Sequence, residues 1–371
     1  MKIFVTIPWF VPAFRAGGPI QSIANLVANY TEGVEYFIFC GNTDLSGEAL
    51  QGITTGEWTT YNDCTKVWYA GKENLSNRIC EQVENVMPDV LFIIGLFNWH
   101  YNIVPMLFCN ASTKIISVRG MLHPGALSQK KWKKHFFLQM LNARGTQKYI
   151  FHATDKTEAE YIQQQFGKDC RVSVAGNFSK KMEVLPAPPK TAGKLQLTTI
   201  ALISPMKNHL LVLQALQNCT AFINYDLYGP VKDEAYWQQC LLAIEAMPAN
   251  IKVQYLGELL PSSVAPALSQ QHVFIMPSKS ENFGHAIAEA LAAGKPVITS
   301  HNTPWNDLCN QMAGENVDLS VAEITNAINI FAAQNQDVYN SFSAAARQYA
   351  AAHLNTDKKM AAYRKMFLGD E

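Results

Sequence analysis

The chain has 371 residues, 48% of them apolar and 16% charged. That length exceeds one ordinary domain and suits two of about 150–200 residues, and the apolar content excludes a disordered chain. Lys plus Arg and Asp plus Glu both number 30, so the formal net charge is zero, which argues against a generic nucleic-acid binder.

The opening run MKIFVTIPWF could pass for a secretory leader, but Pro8, Pro12 and Arg15 interrupt it and no small-residue cleavage site follows. It reads instead as a first β-strand over 2–7. Further short apolar runs predict strands at 35–40, 90–94, 114–118 and 149–152. A second series falls at 198–202, 223–227, 252–256, 273–276 and 297–300. Helical patterns lie between them, at 20–30, 209–216 and 286–293 among others. Alternating strand and helix implies doubly wound α/β sheets. The series breaks at 185–194, LPAPPKTAGK, which predicts a linker. The expected organisation is a Rossmann-like domain over 1–185, a second over 186–352, and a helix within 353–371 packing back on the first. Two such halves would bind ligands in the cleft between the carboxyl ends of their sheets.

The eight cysteines are scattered, with no Cys-x-x-Cys pair and no histidine cluster at zinc spacing. They read as reduced core residues of a cytosolic protein. The longest apolar run, 90–97, falls far short of the roughly 20 residues that span a bilayer.

The most informative segment is 273–300, VFIMPSKSENFGHAIAEALAAGKPVITS. It predicts a strand, a loop at the strand's carboxyl end, a helix stopped at Gly294, and another strand. A helix start presents unpaired N–H groups and partial positive charge. The amides near Asn282, Phe283 and Gly284 are therefore placed to hold a diphosphate or sugar hydroxyls. Glu281 precedes the helix and Glu289 lies inside it. A carboxylate accepts two hydroxyl hydrogen bonds, which suits a ribose diol or a sugar. The bland alternative is a solvated helix carrying two ordinary acids.

With PS-x-x-E-x-FG before the helix and EA-x-A-x-GKPVI across it, the segment resembles the E-x7-E signature of the retaining family-4 glycosyltransferases, which have the GT-B fold. The resemblance implies an α/β chain of two Rossmann-like doubly wound domains facing across a cleft. It implies that Glu281 touches the donor hexose and Glu289 the nucleotide ribose. The N-terminal IPWFVPAFRAGGPIQSIANL is similar to the family's first strand, Gly-Gly loop and helix, with Gly17 and Gly18 meeting the donor phosphates. No G-x-G-x-x-G follows a strand, which disfavours a dinucleotide dehydrogenase. Residues 116–127, ISVRGMLHPGAL, resemble a segment of a polysaccharide-building branch. There Arg119 would contact a phosphate or the acceptor, and His123 the donor sugar or the acceptor hydroxyl; a satisfied structural histidine is the alternative. FHATDKTE at 151–158 resembles a further family segment, in which His152 reads as structural. VAGNF at 174–178 replaces the family's usual P-N-G run.

TIALISPMKNHLLVLQAL resembles the family's R-x4-K phosphate clamp. Lys207 falls on the Lys, but Leu202 stands at the Arg position. Arg15, Arg119 or helix-end amides would then have to supply the missing charge. LYGP at 227–230 and LGEL at 256–259 resemble later landmarks near the base and ribose. No Asp-x-Asp pair occurs, so a metal clamp has no obvious ligands. The resemblance thus implies a metal-independent hexosyltransferase without cofactor, with a nucleotide-diphosphate sugar as donor and a glycan or lipid-linked glycan as acceptor in bacterial surface polysaccharide or lipopolysaccharide synthesis. The expected location is cytoplasmic. The basic run 129–137, QKKWKKHFF, would rest on the inner membrane face, or present a solvated lysine face over buried aromatics. A sugar-nucleotide epimerase of the same architecture, a phosphorylase-like protein and a non-catalytic nucleotide-sugar-binding module remain the alternatives.

Overall fold

The computed structural model describes residues 1–127 and 131–369. The chain divides into two compact units: Met1–Phe178 with Thr356–Glu371, and Ser179–Asn355. The crossing thus falls at 178/179 rather than at 185/186, and the return at 355/356. The reason is that the proline-rich stretch is anchored in the second unit. Met182 packs against a core of that unit. The Lys190 ammonium is buried there, donating to the carbonyls of Thr191, Ala332 and Gln334 at 3.1, 3.1 and 2.8 Å.

The first unit holds an eight-stranded sheet: β1 (Lys2–Thr6), β2 (Glu35–Gly41), β3 (Trp58–Asn62), β4 (Thr65–Ala70), β5 (Val90–Ile94), β6 (Thr113–Ser117), β7 (Ile150–Ala153) and β8 (Arg171–Val174). The order across it is β3-β4-β2-β1-β5-β6-β7-β8. Every pairing is parallel except β3 with β4. The second unit holds β9 (Lys194–Ile200), β10 (Phe222–Tyr228), β11 (Ile251–Tyr255), β12 (Val273–Met276), β13 (Val297–Ser300) and β14 (Gly314–Val317). Its order is β11-β10-β9-β12-β13-β14, all parallel.

Both sheets are covered on both faces, because alternate side chains of a strand point to opposite sides. In β5, Leu91 and Ile93 enter one core while Val90, Phe92 and Ile94 enter the other. In β12, Val273 and Ile275 divide in the same way from Phe274 and Met276. This double burial makes the central strands read as short unbroken apolar runs. Strands β3, β4, β8 and β14 lie toward or at the sheet edges and were not expected. β3 is a Thr-rich edge strand with no residue fully buried, and β8 is half-exposed along its length, so neither carries an apolar run. β9 begins earlier than the expected 198, because Leu195 and Leu197 are separated by Gln196 and the strand starts from the turn in which Lys194 N–H donates to Thr191.

The cysteine expectation needs correction at the surface. Cys309 is exposed and Cys64 and Cys80 are half-buried, while the other five are buried thiols.

The final helix, Thr356–Leu368, belongs to the first unit. Tyr363, Met366 and Phe367 enter the same core as Ile23, Leu26 and Phe92. Tyr363 is 1% exposed, with its ring stacked 5.4 Å from Phe178 and 5.6 Å from the His152 ring. Tyr363→Ala should therefore destabilise the first unit by about 3–5 kcal/mol. Urea denaturation followed by tryptophan fluorescence checks this; a loss within about 1 kcal/mol means that the helix is not part of that core.

Candidate donor site in the second unit

In an open parallel sheet, ligand sites form where neighbouring strands lead their connections to opposite sides. In the second sheet that reversal lies between β9 and β12. The loops leaving these two strands carry Lys207 and Glu281. They are tied together by backbone: Lys279 N–H donates to the Met206 carbonyl at 2.8 Å. The Asn208 side-chain amide adds a bond to the Pro277 carbonyl at 3.3 Å. Asn208 sits in the left-handed region at φ 66° and starts the helix His209–Leu216. The Lys207 ammonium and the Glu281 carboxylate form an ion pair, with side chains 21% and 10% exposed.

Beyond Glu281 the chain turns into the helix His285–Ala292. Gly284 is its cap, at φ 74° and ψ 64°, and no side chain caps the helix. A β-carbon on Gly284 would lie 3.2 Å from Ile287 and 3.5 Å from the Trp305 indole nitrogen. The requirement for glycine is thus both conformational and steric. Trp305 donates its indole N–H to the Phe283 carbonyl, and Phe283 packs edge-on against His285 and Trp305. The loop Asn282, Phe283, Gly284 is therefore held from behind by an aromatic cluster at a helix start.

Glu289 is 5% exposed. Among the described residues no group hydrogen-bonds its carboxylate. Burial pushes its pKa up to about 7, against a smaller opposing pull from Lys180. A carboxylate this buried, with no donor beside it, is expensive to ionise. By contrast, Lys295 of the GKPVI run is a structural staple. It is 2% exposed and donates to the Gln271 and Ser269 carbonyls at 2.8 and 3.4 Å. His209 is also internal: it is 1% exposed, its Nε2 lies 3.1 Å from the Leu202 carbonyl, and burial lowers its pKa to about 4. It fastens the loop that carries Lys207 at the position where the clamp arginine is replaced by Leu202. LYGP and LGEL meet at the ends of β10 and β11, where Gly229 N–H donates to the Gly257 carbonyl at 2.8 Å.

The remaining expected residues lie in the first unit, on loops that follow its strands. Gly17 precedes the helix Gly18–Asn29 with φ 73° and ψ −131°, a conformation that only glycine adopts readily. Its loop is pinned by Asp44, whose carboxylate accepts from the Phe14, Arg15 and Leu45 amides at 3.1, 3.4 and 2.7 Å. Arg15 is paired with Glu48 and donates to Ser46 at 2.8 Å, so its charge is already engaged.

Arg119 follows β6 at φ 51°. One guanidinium nitrogen donates to Asn177, and the rest of the guanidinium is buried beside the Tyr363 hydroxyl. Gly120 N–H is held by the buried Glu158 carboxylate, which also accepts from Thr154. His123 accepts from Gly125 N–H at 3.1 Å through Nδ1 and packs edge-on to Tyr161. His152 is structural, as expected: its two ring nitrogens are bonded to Ser117 and the Ala175 carbonyl, each at 2.8 Å. Glu158 and Asn177, which hold the Arg119 turn, were not singled out from sequence. Nor was Asn208. Glu158, the third residue of its helix, ends the segment 151–158, and Asn177 and Asn208 lie in the segments VAGNF and TIALISPMKNHLLVLQAL; those motifs located the three residues but not what they hold.

The comparisons with known proteins bear on both units. Residues 182–348 match the family model of the glycosyl transferases group 1. Solved structures similar to the whole chain include a sucrose-phosphate synthase from Thermosynechococcus elongatus, with TM-score 0.72, 15% identity, and coverage of 100% of this chain and 99% of that one. HepE of Anabaena, solved in complex with UDP and glucose, gives TM-score 0.72 at 13% identity, with both chains fully covered. WaaG, a glycosyltransferase involved in lipopolysaccharide biosynthesis, gives TM-score 0.70 at 10% identity, again covering 100% of both. At these identities the likeness establishes the GT-B fold. No curated protein matches the chain by sequence. The ion pair of Lys207 with Glu281, the glycine-capped helix start and the buried Glu289 all lie within the matched residues 182–348.

The Glu289 environment has a pH consequence. Its folded-state pKa is raised, so the fold favours the protonated acid. That preference is full below the ordinary carboxyl value and is lost as pH rises through about 7. Glu289→Gln mimics the protonated form. Relative to this variant, the wild type should lose stability of order 3 kcal/mol between pH 5 and pH 8. Denaturation midpoints at the two pH values check this, and parallel pH profiles would rule out a buried neutral acid.

Proposed function

We propose that the protein is a retaining glycosyltransferase that moves a hexose from a nucleotide-diphosphate sugar to a glycan or lipid-linked glycan acceptor in surface polysaccharide synthesis. The observation that carries the reading is the meeting of Lys207 and Glu281 at the strand-order reversal, beside an uncapped helix start and an unpartnered buried Glu289, within the residues that match the glycosyl transferases group 1 model. In this reading Glu289 takes the ribose, Glu281 the hexose, and Lys207 with the amides near Asn282, Phe283 and Gly284 the diphosphate. Gly17, Gly18, Arg119 and His123 of the first unit are assigned to phosphate, donor-sugar and acceptor contacts by the family resemblance alone.

The bond from the anomeric carbon to the diphosphate oxygen breaks, and the acceptor oxygen bonds to the same face of that carbon. The acceptor proton passes to the leaving phosphate. Negative charge grows on the diphosphate as it departs, and fixed positive groups placed beforehand stabilise it more than they stabilise the bound donor. Lys207 and the helix start supply that field without a metal ion.

A thermal-shift screen with UDP-, GDP- and ADP-sugars should identify one stabilising donor, and with it slow sugar release in the absence of acceptor. Lys207→Ala should then lower turnover by about 10²–10³-fold, more than it raises the donor Michaelis constant. Donor binding without any turnover would instead mark a binding module, the outcome that Leu202 in place of arginine makes worth testing.

The same reading includes contact with an anionic membrane through 129–137. Residues 128–130 lie outside the described residues. In the helix Lys131–Ala143, Phe137 is buried, but Trp132 is 89% and Phe136 71% exposed. The expected solvated lysine face over buried aromatics therefore does not describe this helix. Two aromatics one turn apart, flanked by Lys133 and Lys134, fit the boundary between headgroups and acyl chains. No helix among the described residues is long and apolar enough to cross a membrane. Sedimentation with vesicles containing phosphatidylglycerol should pull down the protein in a salt-sensitive way, and a Trp132→Ala, Phe136→Ala variant should lose most of that binding. Equal recovery of both proteins in the supernatant would remove the membrane from the proposal.

A further inference from the structure

We infer, on the donor reading just given, that Glu281 competes with the donor diphosphate for Lys207, so that the site prefers a sugar-loaded nucleotide over the nucleotide left after transfer. Without ligand, the ammonium that should grip the diphosphate is already neutralised by the Glu281 carboxylate. The side chains are 21% and 10% exposed, so solvent and salt screen the pair less than a surface pair. The backbone leaves little room for the loops to part. Lys279 N–H is bonded to Met206 at 2.8 Å, Glu281 N–H to Asn302 at 3.2 Å, and the Asn208 amide to Pro277 at 3.3 Å. An exchange of partners must therefore occur by rotation of the two side chains.

The consequences differ for the two ligands. A diphosphate that draws Lys207 away leaves the Glu281 carboxylate without its partner in a nearly dry position, which is costly. A hexose on that diphosphate brings hydroxyl donors and satisfies the released carboxylate. A bare nucleoside diphosphate brings none. Once the sugar has been transferred, Glu281 returns to Lys207 and the spent nucleotide loses its strongest counter-charge. One carboxylate thus recognises the sugar and also promotes product release.

The test is calorimetric titration of the wild type, Glu281→Gln and Glu281→Asp with three matched pairs: UDP and UDP-glucose, GDP and GDP-glucose, ADP and ADP-glucose. Circular dichroism and melting establish that each variant is folded, and the Asp variant, whose shorter arm cannot hold Lys207, is the second route if Gln disturbs the loop. For the pair that binds, both variants should tighten the nucleoside diphosphate and loosen its sugar conjugate, lowering the preference for the conjugate by about tenfold or more. If the variants leave the nucleoside diphosphate unchanged, or weaken both ligands together, Glu281 is not a competitor and the inference fails while the donor site stands. If no pair binds the wild type, the donor reading itself is wrong, and the inference goes with it.

Discussion

The reversal of strand order between β9 and β12 is the constraint on which the candidate donor site depends. Both strands are buried on both faces, so neither can carry a polar side chain of its own into a ligand site. Only the loops at their carboxyl ends can, and because the strands are neighbours those loops must lie side by side. Lys207 and Glu281, far apart in the chain, are thereby placed at ion-pair distance. The helices that follow the two loops start beside them, one from Asn208 and one from Gly284, each from a left-handed residue that turns the chain sharply into its first helical turn.

The buried charges of the second unit fall into two kinds, and hydrogen bonding separates them. Lys190 and Lys295 are both nearly inaccessible, and both spend their ammonium protons on backbone carbonyls. They fasten the entering segment and the end of a helix, and burial holds the pKa of each down to about 8. Glu289 is equally buried, yet among the described residues nothing donates to it. A satisfied buried charge is architecture. An unsatisfied one is a cost that the fold must offset elsewhere. The same criterion sorts the histidines: His152 is bonded at both nitrogens and is part of the core, while His123 sits on a loop with one nitrogen engaged.

In the first unit the candidate residues are held by partners that are themselves polar and buried. Asp44 gathers two amides of the Gly17 loop, those of Phe14 and Arg15, Glu158 holds the Gly120 amide, and Asn177 takes Arg119. Such arrangements fix a loop more firmly than its own sequence could. The final helix closes the core beneath the first helix. Through Tyr363 the chain's last turns thus become part of the unit in which it began.

Sequence by itself determined the fold class and the central strands, because a parallel strand buried on both faces must be an unbroken apolar run, and 90–94, 273–276 and 297–300 are such runs. It also located the loop and helix at 277–292, since Gly284, Gly294 and Pro296 mark local backbone conformations that any tertiary context must respect. Of the edge strands, β3, β8 and β14 were not legible, because none carries an apolar run, whereas β11 was, at 252–256. The boundary at 178/179 was not legible either, because prolines mark where a chain is stiff, not what it packs against. The pairing of Lys207 with Glu281, the burial of Glu289 and the exposure of Trp132 and Phe136 were decided by tertiary structure alone. Each depends on which distant residues arrive beside a side chain, and local spacing carries no record of that.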